Sequence, residues 1–389
     1  MSERLLILLI AGCLMLQPLS TDLYLASLPR LAEAFTAPKI LVQQTLVFFS
    51  VGFGLAQLLG GPLSDRFGRR RVMLGGLSLY LLASLACALA PNIYLLIGAR
   101  FAQACGCCAA IVAARALIRD LYPPAIGASK LAQASSYMAF AVVSGPVIGA
   151  QLQVHFGWQA AFVFLSCATP LLLALAWRWQ EAPLPRASGQ AAGYRSLLAH
   201  PVFRSYALAG TLSYSNIFVF ISGSAFVLIE LLGVSTASYG YCFASGCAGY
   251  LGGAFLCRRL LVALGTEKTL LTGGTVMALA GLSFAACALL GVMNWGLLVT
   301  FQCLAMFSHG IIFPCAQIGS LAPFPGSAGR AAGLFGAISM IGALSVSNLV
   351  GLLLHDSVLP LALLAAGSGL LQWTLLRRSQ HKQTLSLGQ

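Results

Sequence analysis

Charged side chains are scarce in this sequence. Asp, Glu, Lys and Arg make up 8% of its 389 residues, and Asp and Glu together number 9. A soluble domain carries roughly a quarter charged residues, so this composition excludes an ordinary water-soluble protein. Hydrophobic residues supply 59% of the chain, and the mean hydropathy is +0.89. The chain is therefore expected to lie in a lipid bilayer.

Common catalytic signatures are missing as well. The sequence has no phosphate-binding Gly-x-x-x-x-Gly-Lys-Ser/Thr loop, no His-Glu-x-x-His zinc site and no Gly-x-Ser-x-Gly nucleophile. Cys105, Cys107 and Cys108 lack the Cys-x-x-Cys spacing of a metal or redox site. We therefore expect no metal, no cofactor and no enzymatic activity. A membrane-embedded enzyme or sensor would need a catalytic set or a soluble output domain, and the sequence offers neither.

Apolar runs long enough to cross a membrane recur twelve times. One crossing needs about 20 apolar residues, because the hydrocarbon core is about 30 Å thick. The runs lie at 5–28, 41–63, 72–90, 93–118, 130–152, 158–177, 205–229, 236–257, 269–291, 295–318, 331–354 and 358–376. We predict an all-α integral membrane protein of twelve transmembrane helices.

The longest hydrophilic stretch divides these spans six and six. We predict an N-terminal six-helix bundle at 1–179, a cytoplasmic linker at 180–204, a C-terminal six-helix bundle at 205–376 and a cytoplasmic tail at 377–389. Internal repetition indicates two pseudo-symmetric halves. A shift of 192 residues lays Gly54, Ala56, Gly60, Gly61 and Arg66 on Gly246, Ala248, Gly252, Gly253 and Arg258. The same shift places Cys257 at the position of Asp65.

The net charge of +13 reflects topology. Of the 22 Lys and Arg residues, only Arg30 and Lys39 fall on the side opposite the N-terminus, and Arg100 and Arg115 lie within a span. This asymmetry follows the positive-inside rule and predicts that both termini are cytoplasmic. No basic stripe is interleaved with aromatic residues, so nucleic acid is not an expected partner.

The loop after span two reads Gly60-Gly61-Pro62-Leu63-Ser64-Asp65-Arg66-Phe67-Gly68-Arg69-Arg70-Arg71. It resembles the loop 2–3 signature of the major facilitator superfamily, matched in order by Gly61, Leu63, Asp65, Arg66, Gly68, Arg69 and Arg70. We expect Gly61 to allow close helix approach and Gly68 to permit a tight turn. Asp65 and its arginines would gate the inner side; the alternative is a set of topogenic arginines beside an incidental Asp.

Span five contains Gly145, Pro146, Gly149 and Ala150. The stretch resembles the Gly-Pro-x-x-Gly-Gly element of the drug–proton antiporter branch, with Ala150 in place of the last Gly. Pro146 frees a backbone carbonyl and bends the helix, so we interpret Gly145, Pro146 and Gly149 as a hinge. A kinked packing helix is the equally weighted alternative.

Asp22 in span one and Arg100 in span four are charges inside the membrane. Counted from the outer ends of their spans at 1.5 Å per residue, they lie about 10 and 12 Å deep, so the two are expected to meet at one level of a shared cavity. Low dielectric raises the proton affinity of a carboxylate and a nearby guanidinium lowers it. This pair is our candidate for proton coupling or substrate binding; a static ion pair, or an Arg100 that snorkels to the surface, is the alternative.

The stretch Ser20-Thr21-Asp22-Leu23-Tyr24-Leu25 resembles the first helix of the Bcr/CflA family of bacterial drug exporters, and further similar segments reach span eleven. Ala26 departs from the usual Pro of that family. The resemblance implies a twelve-helix carrier that exchanges protons for amphiphilic solutes. Polar residues within the spans are expected to line a cavity or to hold helices together by hydrogen bonds: Gln17, Tyr24, Gln103, Tyr137, Asn216 and His309. For His309, a hydrogen-bonded packing role is the alternative.

We therefore predict a proton-coupled secondary transporter of the bacterial inner membrane that exports drugs or small amphiphilic metabolites by alternating access. The alternative is a proton symporter that imports a small nutrient such as a nucleoside. The expected partners are a small-molecule substrate, protons and the lipid bilayer, and a monomer is favoured.

Overall fold

The computed structural model describes residues 2–122, 124–179, 193–324, 327–354 and 357–387, and every regular element in these ranges is helical. Within them, side chains are described except at positions 65, 119, 124, 125, 128, 129, 132, 328 and 379–387. The chain divides into two compact units, unit 1 at Met1–Gln190 and unit 2 at Ala191–Gln389. About half of the predicted linker and the last two residues of the predicted tail lie outside the described residues.

The helices follow the apolar runs of the sequence. Those of unit 1 are α1 Glu3–Asp22, α2 Leu28–Ala34, α3 Lys39–Phe67, α4 Arg69–Ala88, α5 Ile93–Leu121, α6 Pro124–Phe156 and α7 Gln159–Arg178. Those of unit 2 are α8 Tyr194–Ala199, α9 Pro201–Ala225, α10 Thr236–Leu289, α11 Trp295–Leu321, α12 Ala328–Leu353 and α13 Leu359–Leu387. A π-helical turn, Phe226–Leu231, extends α9.

The first span, Glu3–Ala34, is broken about two-thirds of the way along its length. Its first helix, α1, ends at Asp22, and a short 3₁₀ turn, Leu25–Ser27, leads into α2. Pro18 removes one N–H from the hydrogen-bond ladder of α1. Pro29 lies in the first turn of α2, where a missing N–H costs little. The break, which we call the Asp22 bend (residues 22–27), leaves Asp22 at a buried helix end.

Single glycines turn the chain between spans. Gly68 is the only residue between α3 and α4, and its φ of 93° and ψ of 150° form the tight turn. Inside α10, Gly265 breaks the helix with a φ of 76° and a ψ of 173°. Both glycines have positive φ, a region that other residues enter only with strain. The two units therefore use the same device between corresponding spans.

The described chain supplies twelve membrane-crossing segments. Eleven helices are long and apolar enough to cross a membrane. One of them, α10, has 54 residues, which would extend about 81 Å at 1.5 Å per residue. Because the hydrocarbon core is only about 30 Å thick, the break at Gly265 separates two crossings, at 236–264 and 266–289. The prediction of an all-α protein of twelve spans is confirmed.

Close backbone contacts pack the helices of unit 1. A Cβ built at Gly106 of α5 would lie 2.6 Å from the carbonyl oxygen of Gly76 in α4. A Cβ built at Gly149 of α6 would overlap the carbonyl oxygen of Leu23 in the Asp22 bend. Small residues let membrane helices approach in this way. The positions of α4 and α6 therefore depend on glycine.

The close approach expected at Gly61 is not present. A Cβ built there would meet no heavy atom within 4 Å, whereas one at Gly60 would lie 3.3 Å from Val112 of α5. Adjacent helical residues point about 100° apart, since a turn contains 3.6 residues. Gly60 therefore faces α5, and Gly61 points away from it.

We expect Gly149→Ala to lower the thermal unfolding midpoint of the purified protein in detergent. The added methyl group overlaps the Leu23 carbonyl oxygen, and overpacking of this kind costs about 1–3 kcal/mol. Gly75→Ala is the matched control, because a Cβ at Gly75 meets nothing within 4 Å. The control should keep or slightly raise the midpoint, since Ala is the better helix former. Equal midpoints for the two variants would contradict the close contact.

Candidate functional site

Asp22 is buried at the bend of the first span. Asp22 is 7% exposed. The hydroxyl of Thr21 donates to its Oδ1 at 3.0 Å. Among the residues whose side chains are described, it is the only buried carboxyl group. The helix break thus places a titratable group at the end of α1, inside the packed part of unit 1.

The glycine motif of α6 packs directly on this bend. A Cβ at Gly145 would lie 3.4 Å from the Cβ of Asp22, and the one at Gly149 would overlap the backbone of Leu23. Pro146, between them, is buried within α6. Two motifs that lie more than a hundred residues apart in the sequence are therefore one structural feature.

Arg100 lies in an aromatic cage formed by Tyr24, Phe49 and Phe162. It is 0% exposed, and its guanidinium carbon lies 4.2 Å from the ring centre of Phe49, 4.6 Å from that of Tyr24 and 5.7 Å from that of Phe162. These distances are typical of cation–π contacts. The cage replaces part of the stabilisation that water gives an exposed guanidinium.

A chain of hydrogen bonds holds Arg100 from one side. Its Nη1 donates to Oε1 of Gln103 at 2.6 Å, and Nε2 of Gln103 donates to the hydroxyl of Ser84 at 2.8 Å. The Ser84 hydroxyl donates to the carbonyl oxygen of Tyr80 at 2.7 Å. Nε and Nη2 of Arg100 are buried without a partner in the described residues. These two nitrogen atoms of the guanidinium are therefore available to donate hydrogen bonds to another group.

The expected meeting of Asp22 and Arg100 does not occur as an ion pair within the part of the chain that the structure describes. The depth estimate assumed straight helices, but α1 stops at Asp22. The Asp22 bend then brings Tyr24, two residues later, onto the guanidinium, and the Tyr24 hydroxyl bonds to that of Thr45 in α3. An aromatic ring takes the position that we had assigned to the carboxylate.

The arginines after α3 tie helix ends together at the basic end of unit 1. Arg69, 7% exposed, donates from Nε to Oδ2 of Asp120 at 2.8 Å and from Nη1 to the Ser64 hydroxyl at 3.1 Å. Arg70 donates to the carbonyl oxygen of Trp177 at 2.6 Å, with its guanidinium 5.3 Å from the indole ring. The N-terminus of α4 is thereby attached to the last turns of α5 and α7.

Two members of this loop contribute differently. Arg66 is exposed, with its guanidinium 5.4 Å from the ring of Phe67. The side chain of Asp65 lies outside the described residues. Sequence reasoning missed Asp120, the carboxylate partner of Arg69. An acidic residue directly after a basic one at the end of a span was the available signal.

The predicted cavity-lining residues of unit 2 form two separate groups. Nδ1 of His309 lies 2.9 Å from the Ser213 hydroxyl, and the ring of His309 packs against Tyr214, Tyr250 and Phe313. Asn216 accepts from the Ser368 hydroxyl at 2.6 Å and donates to Oε1 of Gln372 at 3.4 Å. These contacts give His309 a hydrogen-bonded packing environment and link α9 to α11 and α13.

The remaining cavity candidates of unit 1 differ in exposure. Gln103 and Tyr24 are buried beside Arg100. Gln17 is half-buried on α1, and Tyr137 is exposed on α6. The structure therefore brings Tyr24 and Gln103 together around Arg100, whereas within the described residues no hydrogen bond or ring contact joins Gln17 or Tyr137 to that cage.

Comparison with known proteins places this fold in a family. The model of the Major Facilitator Superfamily matches residues 10–347. The Chloramphenicol resistance protein of Pseudomonas aeruginosa is 32% identical over 273 residues, which are 69% of this chain and 64% of that protein. Multidrug resistance protein D of Escherichia coli K12 is 30% identical over 363 residues, covering 91% of this chain and 90% of that protein.

A solved structure has the same fold at low sequence identity. The inward-facing, occupied structure of a bacterial homologue of the human lysosomal transporter Spinster matches with a TM-score of 0.79 at 15% identity, covering 96% of each chain. The family model covers most of this chain, and the two drug-resistance relatives are 32% and 30% identical to it. The chain therefore belongs to the major facilitator superfamily: it is a multi-pass transporter of the drug-resistance, Bcr/CflA-like type, and it is not an enzyme.

Proposed function

We propose that the protein exports drug-like or small amphiphilic molecules in exchange for protons, by alternating access. The observation that carries this proposal is the carboxyl group of Asp22, buried at a helix break against the glycines of α6. The names of two relatives refer to chloramphenicol resistance and multidrug resistance. These names favour export of drugs over import of a nutrient.

Asp22 is the proposed proton carrier. Its Oδ1 accepts from Thr21, and no Lys or Arg lies within ion-pair distance of it in the described residues. An ionised carboxylate enclosed without a cation is costly, whereas water stabilises the same group when it is exposed. Any motion that opens and closes the Asp22 bend therefore couples to release and uptake of a proton.

Arg100 would assist from its aromatic cage. Its Nε and Nη2 atoms, which have no hydrogen-bond partner among the described residues, can donate to an acceptor group of the substrate, or to Asp22 in a different conformation of the bend. Tyr24 connects the two residues, since it follows Asp22 by two positions and its ring covers the guanidinium. A change in the bend would move this ring and expose the donors.

The basic loop after α3 is the proposed inner gate. Arg69 and Arg70 hold the start of α4 against the ends of α5 and α7, and Asp65 would complete the gate. In this proposal both termini are cytoplasmic, the protein is a monomer in the bacterial inner membrane, and the two bundles at 1–179 and 205–376, which the predicted linker at 180–204 joins, work by alternating access. The distribution of basic residues supports this orientation.

We expect Asp22→Asn to abolish substrate-driven proton movement. Inverted membrane vesicles would hold a preset proton gradient, and chloramphenicol would be the first compound added. Wild-type vesicles should release protons on addition, and the variant should match vesicles without the protein, because an amide cannot carry the proton. Proton release by Asp22→Asn at the wild-type rate would refute the assignment.

Two controls accompany this experiment. Glu33→Gln removes an exposed carboxylate from the same span, paired with Arg30 at 2.8 Å on the surface, and should keep wild-type coupling. Drug accumulation in whole cells then gives the direction of transport. Expression of an exporter lowers accumulation, whereas a symporter that imports the compound raises it.

We expect Asp120→Asn to destabilise the protein and slow transport. The side chains of Arg69 and Asp120 are 8% and 16% exposed, so loss of the carboxylate charge beside a buried guanidinium costs about 1–3 kcal/mol. Thermal unfolding in detergent and transport in vesicles would both be measured. Glu33→Gln again serves as control, because exposed ion pairs contribute little. Indistinguishable results for the two variants would count against the gate.

A further inference from the structure

Two cysteine thiols of unit 2 are in contact. Sγ of Cys257 in α10 lies 3.2 Å from Sγ of Cys315 in α11. Cys257 belongs to the part of α10 before Gly265, which we call its first arm; the part after Gly265 is its second arm. Both cysteines are free thiols, and the residues are 2% and 1% exposed. Cys257 also occupies the position that corresponds to Asp65 in the 192-residue repeat. Neither residue belongs to the proton or gating machinery described above.

Backbone contacts hold the two helices together beside this pair. A Cβ built at Gly253, one turn before Cys257, would overlap the carbonyl oxygen of Phe307. One built at Gly310, five residues before Cys315, would overlap the carbonyl oxygen of Tyr250. Helices packed this closely cannot separate without losing these contacts. The two sulfur atoms are therefore kept near each other by the fold.

Pro314 makes the far end of α11 a separable segment. It lies inside the helix and has no N–H to donate to the carbonyl of Gly310, four residues earlier. The segment 315–321 is consequently joined to the rest of α11 by a weakened turn. Cys315 is its first residue, so a bond at this sulfur would act where the helix is easiest to bend.

We propose that Cys257 and Cys315 form an oxidisable pair, which hydrogen peroxide closes to a disulfide that fixes residues 315–321 of α11 to α10. One thiolate attacks the O–O bond of the peroxide, which yields a sulfenic acid and, after protonation of the leaving hydroxide, water. The second thiol attacks the sulfenic sulfur, forming the S–S bond and releasing a second water. Overall, two thiols and one peroxide give one disulfide and two waters.

The geometry favours this reaction over modification by larger reagents. An S–S bond is about 2.05 Å long, so the sulfur atoms must approach by about 1.2 Å, which side-chain rotation can supply. Burial excludes bulky alkylating agents but admits peroxide, which is uncharged and only slightly larger than water. Thiol–disulfide exchange with a small dithiol reverses the bond once the protein is unfolded. The pair thus responds to small diffusible oxidants.

The test uses the full-length protein in lipid nanodiscs. Reduced protein, freed of reductant, receives hydrogen peroxide; remaining thiols are alkylated after unfolding, and peptides are identified by mass spectrometry. We expect a cross-linked peptide pair joining Cys257 to Cys315, two hydrogens lighter than the reduced peptides and lost after dithiothreitol. Cys257→Ala should abolish the link, while Cys287→Ala, a change on the second arm of α10, should retain it. Absence of the link in the wild-type protein overturns the proposal.

Hydrogen–deuterium exchange tests the mechanical part separately. Oxidation should slow amide exchange in residues 315–321 of the wild type and of Cys287→Ala, and should leave Cys257→Ala unchanged. A disulfide that forms without slowing exchange would overturn the fixing of this segment. Neither measurement needs a transported compound, so the outcome does not depend on the proposed function.

Discussion

The contact between α6 and the backbone of the first span is the constraint on which the candidate site depends. Gly149 leaves room for the carbonyl oxygen of Leu23, and Gly145 lies against the Cβ of Asp22. Because neither glycine has a side chain, α6 covers the break in the first span without displacing it. The same contact buries Asp22 and fixes the direction in which Tyr24 leaves the bend. The burial of Asp22 therefore depends on two positions of α6 that have no side chain.

The enclosure of Arg100 shows how a charge is kept in a membrane without a counter-ion nearby among the described residues. Three aromatic rings and one amide oxygen surround the guanidinium. Their partial charges partly replace hydration, while a carboxylate would neutralise the cation and satisfy its donors. The arrangement leaves Arg100 with donors to offer. The basic end of unit 1 uses the opposite solution, since Arg69 has a carboxylate partner in Asp120.

The sequence predicts the features that a bilayer requires of every membrane-spanning chain, but it does not predict the features that depend on helix packing. The twelve spans follow from apolar length, which lipid requires of every crossing. Pro18 and Pro29 are local signals of the Asp22 bend, but its packing against α6, more than a hundred residues away, could not be predicted. Depths counted along straight helices therefore placed Asp22 beside Arg100, although the ring of Tyr24 lies there. Likewise, the loop motif indicated that a glycine packs closely but not that Gly60, one position earlier than Gly61, faces α5.

The one-residue turns at Gly68 and Gly265 have a mechanical consequence. A loop of several residues is flexible, so a helix on one side of it can tilt without moving the helix on the other side. At these two places the next helix starts immediately after a single glycine, so no further residues separate the two helix ends. A displacement at the end of the first helix therefore also moves the start of the second helix, which lies one residue away.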